Sequence, residues 1–270
     1  MKVKTLSLLA GAGSLLLAGT AMAQEAPADF VGIEIVDFTD FFMNEHPNAN
    51  VQAAYAGAGL NTYRVYATFT GAAQVHAHGG KAVAGAFAYS NSSDGAFYNV
   101  IDSGHHGDTH YNIAPTAPQI GSNANHAFDT FGTIGAFVNP GATALYANES
   151  AFANETGNMQ GNWVAEDSGW YVNDPNAPQA VATQTNQGLE NDGLYRVLVM
   201  QISVAAGATV EGNLGILGGI SSAAGAGGGS FEIWDGEPGG LLSYSTVIPA
   251  PGAMALLGLA GLVGTRRRRA

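Results

Sequence analysis

Alternation of apolar and polar residues with a period of two dominates the patterned segments in the body of this 270-residue chain, and no amphipathic stripe of helical period stands out there. Val31, Ile33 and Ile35 alternate with Gly32 and Glu34 and predict a first strand. Tyr63, Val65, Ala67 and Phe69 fall on one face of the next segment, with Thr62, Arg64, Tyr66, Thr68 and Thr70 on the other. That pattern predicts a strand buried on one side. Residues 85–90 and 96–101 flank Asn91-Ser92-Ser93-Asp94-Gly95 and read as a hairpin, and residues 128–138 as a further strand. From Tyr195 to Val204 both faces are apolar: Val197 and Val199 on one, Leu198, Met200, Ile202 and Val204 on the other. Such a strand belongs in the middle of a sheet. Ala206-Gly207-Ala208 then turns the chain into residues 209–217 as its expected partner, and residues 231–234 close the series.

Eight to ten short strands with Gly- and Asn-rich connections predict a mainly β fold, an antiparallel β-sandwich or jelly roll with long loops. Residues 105–191 read as long loops or a small inserted lobe. The phrases Thr62-Tyr63-Arg64-Val65 and Leu194-Tyr195-Arg196-Val197 are alike as two strand starts, and four residues do not establish a duplication.

The two ends have a different character. Lys2 and Lys4 precede an apolar run, Leu6 to Ala18, and Ala21-Met22-Ala23 places small residues where a signal peptidase reads. Cleavage between Ala23 and Gln24 is the expectation, with residues 1–23 the signal peptide. At the other end Ile248-Pro249-Ala250-Pro251 leads an apolar segment that closes on Arg266, Arg267, Arg268 and Arg269. Residues 252–265 number 14, about 21 Å as a helix against a hydrocarbon core of roughly 30 Å. Four glycines weaken that helix further. The segment reads as a transient anchor with its arginines cytoplasmic and the body outside.

This tail resembles the PEP-CTERM sorting signal, in which a Val-Pro-Glu-Pro motif, an apolar helix and terminal arginines are recognised by the membrane protease exosortase. Ala250 stands where that family usually has glutamate. The resemblance covers residues 247–270 and implies an exported protein of the cell surface or extracellular matrix, made where exopolysaccharide is exported. The body, residues 24–235, with a linker at 236–246, resembles a loosely defined group of planctomycete surface proteins. The likeness rests on Tyr63-Arg64-Val65-Tyr66, on Phe128-Asp129-Thr130-Phe131-Gly132-Thr133-Ile134-Gly135 and on Val197-Leu198-Val199-Met200-Gln201. It implies a β domain.

Charge sharpens the picture. Without its two ends the chain keeps three basic residues, Arg64, Lys81 and Arg196, against 21 acidic ones, a formal charge of −18. Such a surface repels nucleic acid and anionic lipid. Cysteine is absent, which excludes disulfides, thiol catalysis and cysteine zinc sites.

Candidate chemistry is sparse. Histidines crowd the interval from His76 to His126, and His76, His78, His105, His106, Asp108 and His110 could hold a transition metal if their two segments met. His76 and His78, two apart, would share one face of a strand. No resident cofactor is implied; acidic and amide residues would permit a structural calcium, at no position the sequence singles out. Trp163, Trp170 and Tyr171 could stack on sugar rings and make a carbohydrate-binding module, a reading to set against that of a non-catalytic surface protein. A secreted metal-dependent hydrolase is the third reading. Glu166 and Asp167 are adjacent, so on a strand they point to opposite faces and do not act as a pair. Nucleophile elbows, phosphate loops, dinucleotide fingerprints and zinc-protease motifs do not occur, and the expectation is a protein without catalytic activity.

Overall fold

The structure is a computed structural model that describes residues 30–79, 88–94, 97–98, 100, 114–138, 146–147, 163–165, 169–172, 180–184, 187–220, 230–233 and 242–246. The two terminal segments expected to act as sorting signals, with Ala21, Ala23, Gln24, Ile248 to Pro251 and Arg266 to Arg269, lie outside the described residues, as do His105, His106, Asp108 and His110.

Thirteen strands are described: β1 (Phe30–Asp37), β2 (Leu60–Phe69), β3 (Ala73–Gly79), β4 (Ala88–Ser92), β5 (Phe131–Gly132), β6 (Tyr146–Ala147), β7 (Trp163–Ala165), β8 (Gly169–Tyr171), β9 (Tyr195–Ala205), β10 (Val210–Asn213), β11 (Gly215–Ile220), β12 (Ser230–Ile233) and β13 (Ser243–Ser245). Two helices accompany them, α1 (Ala49–Ala58) and α2 (Ala117–Ser122), with a π-helical turn at Phe41–Glu45 and a 3-10 turn at Ala124–Phe128. Every strand pairing described is antiparallel. The sheets run β1-β2-β9-β5, β13-β10-β4-β7 and β12-β11-β3-β8-β6. The expectation of a mainly β, antiparallel fold is met.

One core joins all three sheets: Val65, Val197 and Ile202 from the first, Val210 and Tyr244 from the second, Val75, Ile216 and Trp170 from the third. Each fully buried aliphatic side chain of this kind contributes roughly 1.5–3 kcal/mol. A second core lies on the opposite face of the first sheet, where Tyr66 and Leu198 meet Val36, Phe42, Tyr55 and Phe128. Residues 62–69 of β2, expected to be buried on one side, are therefore buried on both, apart from a half-buried Tyr63.

The covering layer explains the difference. Asn48 caps α1 by accepting from the Asn50 amide at 2.9 Å, and Gly59 ends it with φ 63°. Between these caps only Val51 and Tyr55 are buried, one helical turn apart; alanine and glycine make up most of the remainder. A stripe of two large residues leaves almost no periodic signal, so the helix was invisible to alternation.

β9 runs between β2 and β5 as a central strand, with one irregularity. Val65 pairs with Met200 and Tyr66 with Leu198, which leaves Val199 as an extra residue. Val197 and the extra residue Val199 lie in the main core, and Met200, Ile202 and Val204 follow them there. Leu198 lies in the second core, opposite Val197 and Val199 as alternation placed it, whereas Met200, Ile202 and Val204, expected beside Leu198, join those valines instead.

Two expected pairings are replaced. Residues 209–217 split at the buried Leu214 into β10 and β11, which join different sheets, while β2 and β5 occupy the flanks of β9. β4 pairs with β10 and β7 instead of closing a hairpin on residues 96–101. The Ser93 amide donates to the Thr209 carbonyl at 2.9 Å and the Ser93 hydroxyl accepts from the Thr209 amide at 2.9 Å, fastening the turn to the β9–β10 connection. Tyr98 instead donates its amide to the Ser203 carbonyl at 2.8 Å.

Candidate functional site

β3 pairs Ala77 with Leu217 and Val75 with Gly218, so His76 is an extra residue on that strand. This bulge breaks the two-residue alternation on which a shared face for His76 and His78 depended. His78 stands opposite Trp170 and Ile216 in register. His76 is half-buried, its Nε2 3.4 Å from Gln74 Oε1, and burial lowers its pKa below the ordinary value. Among the described residues no three potential ligands gather into a metal group.

The aromatic candidates diverge as well. Trp170 is fully buried in the main core, so its ring faces no solvent; Tyr171, the next residue, is exposed. Trp163 opens β7, which belongs to another sheet. The trio thus does not form one open platform through Trp170.

The densest chemistry lies where no motif pointed, on the face of the first sheet beneath α1. Pairing aligns Val36, Arg64 and Gln201 across β1, β2 and β9, then Glu34, Tyr66 and Leu198, then Gly32, Thr68 and Arg196. Two of the three basic residues of the body thus occupy one face, in unlike surroundings.

Arg196 is fully paired. Its Nη1 and Nη2 donate to the two carboxylate oxygens of Asp192 at 2.8 and 2.7 Å, and its Nε donates to Glu34 Oε2 at 2.7 Å. The fork matches a carboxylate bidentately. Those bonds hold the Asp192 carboxyl down at about 2. The Asn191-Asp192-Gly193 turn presents it: Asp192 accepts from the Leu194 amide, Asn191 from the Gly193 amide, and Gly193 takes φ 86°.

Arg64 is not paired in this way. It is 3% exposed, and its Nε donates to Gln201 Oε1 at 3.0 Å. Its guanidinium carbon lies 4.3 Å from the Phe38 ring centre and 4.4 Å from that of Phe137, with Phe41 and Phe42 each at 5.5 Å. Aromatic faces attract a cation through their quadrupoles. Neither Nη1 nor the buried hydroxyls of Tyr66 and Thr68 make a hydrogen bond of full geometry among the described residues, and the Tyr66 hydroxyl lies beside the Arg64 guanidinium. Burial pushes the Tyr66 phenol up to about 12, with the Arg64 charge acting in the opposite direction. Burial also lowers His46, and the Arg64 charge adds to that shift.

Around this cation the polar groups interlock. Gln201 Nε2 donates to the carbonyls of Ala127 and Asp129 at 3.0 and 3.1 Å. His126 Nδ1 lies 2.9 Å from Asp129 Oδ2, and Asp129 Oδ1 accepts from the Val100 amide at 2.7 Å. The Tyr55 hydroxyl donates to Thr62 Oγ1 at 3.0 Å, which lies 2.6 Å from Ser203 Oγ. These bonds tie α1, the 3-10 turn and the segment at Val100 to the sheet.

Sequence reasoning passed over this region because its members are spread from Glu34 to Gln201 without a spacing rule. The polar face of β2 was legible, but it read as solvated. Comparison of the chain with protein-family models, curated proteins and solved structures returns no match.

Proposed function

We propose that this protein is an exported, non-catalytic component of the cell surface or extracellular matrix. In this reading signal peptidase removes residues 1–23 and an exosortase-like protease processes the tail at residues 247–270. The observation that carries it is the pairing of two oppositely placed address segments around a body of formal charge −18. The antiparallel body, arranged as a β-sandwich, is what is displayed. Its stability without cysteine fits the two cores and the buried polar ties described above. Exopolysaccharide is the expected neighbour, and Tyr171 the described aromatic exposed enough to touch it.

Mass spectrometry of the culture medium and of the cell envelope tests this reading. The expected mature chain begins at Gln24 and ends near Ile248 to Pro251, and replacing Arg266 to Arg269 by glutamine leaves the tail attached. An intact chain recovered from the cytosol overturns the proposal. Glycan-array binding that falls on Tyr171→Ala would instead make the body a carbohydrate-binding module.

A further inference from the structure

We propose that Arg64 and Tyr66 form an internal binding site for a small monovalent anion of the chloride type. The site is independent of how the protein is sorted. Arg64 cannot shed its charge as a buried lysine does, because a guanidinium stays protonated throughout the accessible pH range. A buried charge requires a counter-charge or a full set of hydrogen bonds. Four phenylalanine rings and Gln201 supply part of this, yet Nη1 makes no hydrogen bond of full geometry among the described residues.

Among the described residues, the carboxylates of this layer are otherwise engaged. Glu34 and Asp192 serve Arg196; Asp129 is held by His126 and the Val100 amide; Asp37 accepts from the Thr39 amide. Two residues along β2, on the same face, the fully buried Tyr66 hydroxyl lies beside the Arg64 guanidinium and makes no hydrogen bond of full geometry. Because burial keeps that phenol protonated far above neutral pH, it has a proton to donate. One cation calls for one negative charge: a dianion would leave an excess charge buried, and desolvation costs it more. The donors offered are the Nη1 N–H groups and one O–H, and the ligand they fit is compact and weakly hydrated.

The test uses the full chain in mild detergent. Thermal unfolding is followed while sodium gluconate is exchanged for sodium chloride at constant ionic strength. If the dissociation constant is about 10 mM, 0.5 M chloride raises Tm by about 5 °C or more. Chloride-35 NMR should show line broadening by the wild-type chain. Arg64→Met should abolish both effects, and Tyr66→Phe, which keeps the ring in the core, should weaken the apparent chloride affinity about 10-fold. If Arg64→Met does not fold, Tyr66→Phe and a bromide anomalous peak beside Arg64 decide the matter. A Tm indifferent to chloride overturns the proposal and means that a carboxylate of the chain itself supplies the counter-charge. A chloride response unchanged in both variants overturns it too, assigning the effect to the surface.

Discussion

Gly132→Ala is the sharpest test of how the sheets are joined. Gly132 lies in β5 of the first sheet, paired with Met200, while Trp170 lies in β8 of the third. The indole lies against the glycine so closely that an added Cβ would overlap its Cε2 and Cδ2 atoms and stand 2.5 Å from Cζ2. Gly132 is not among the glycines with positive φ, so alanine adds no left-handed backbone strain and the effect isolates the contact. Ordinary overpacking costs about 1–3 kcal/mol. Here the obstacle is a rigid, fully buried ring system rather than a flexible chain end, which places the cost at about 3 kcal/mol or above. For a body of this size that lowers Tm by roughly 6–12 °C.

Circular dichroism at the β-sheet minimum should follow the unfolding, since it does not depend on the tryptophan. Trp170→Leu removes the overlap at the expense of a cavity, and in that background Gly132→Ala should cost less than about 1 kcal/mol. A Gly132→Ala chain within about 0.5 kcal/mol of wild type would refute the packing argument. So would an equal cost in both backgrounds, which would locate the effect in the strand itself.

Three further outcomes follow from the polar layer and its neighbours. Gln201→Leu strips Arg64 Nε of its acceptor and leaves the Ala127 and Asp129 carbonyls without their donor, so urea unfolding should show a loss of about 3–5 kcal/mol. Gly188 has φ 78°, and a Cβ there would meet Phe38 Cε1 at 2.8 Å and Phe41 Cδ2 at 2.9 Å; Gly188→Ala should cost about 2–3 kcal/mol by the same assay. Asp192 has a carboxyl held at about 2 when folded, below its unfolded value near 4, so its contribution is complete above pH about 4 and fades as pH falls towards 2. Its side chain is 41% exposed, and solvent screening limits that contribution to about 1 kcal/mol. Asp192→Asn should flatten the stability profile over that interval, and an unchanged acid limb would refute the pairing.

The strands that sequence located well are those whose alternation is local. β1, β2 and β9 stand where Ile33, Val65 and Val197 placed them, because each carries its own pattern. Pairing and depth were less legible. Whether Arg64 and Thr68 face water depends on what lies over them, and that layer comes from Phe38, Phe42, Tyr55 and Phe128, elements too short or too alanine-rich to announce themselves. The bulges at His76 and Val199 add single residues that no side-chain pattern marks, and each displaces the faces beyond it. The polar layer assembles Glu34, Arg64, Asp129 and Gln201 through three-dimensional closure alone.

The extra residue at Val199 inverts the parity of tolerance along β9. A complete substitution scan should find charged replacements barred at odd positions up to 199 and at even positions from 200 onward, with Leu198, Gln201 and Ser203 obeying the requirements of the other layer. Deleting Val199 would restore a regular ladder in which Leu198 and Met200 keep their present partners, so every remaining residue would hold its face and only the Val199 side chain would leave the main core. A single-codon loss there is accordingly milder than one at a paired position such as Ile202, which would exchange the surroundings of every residue on one side of the cut.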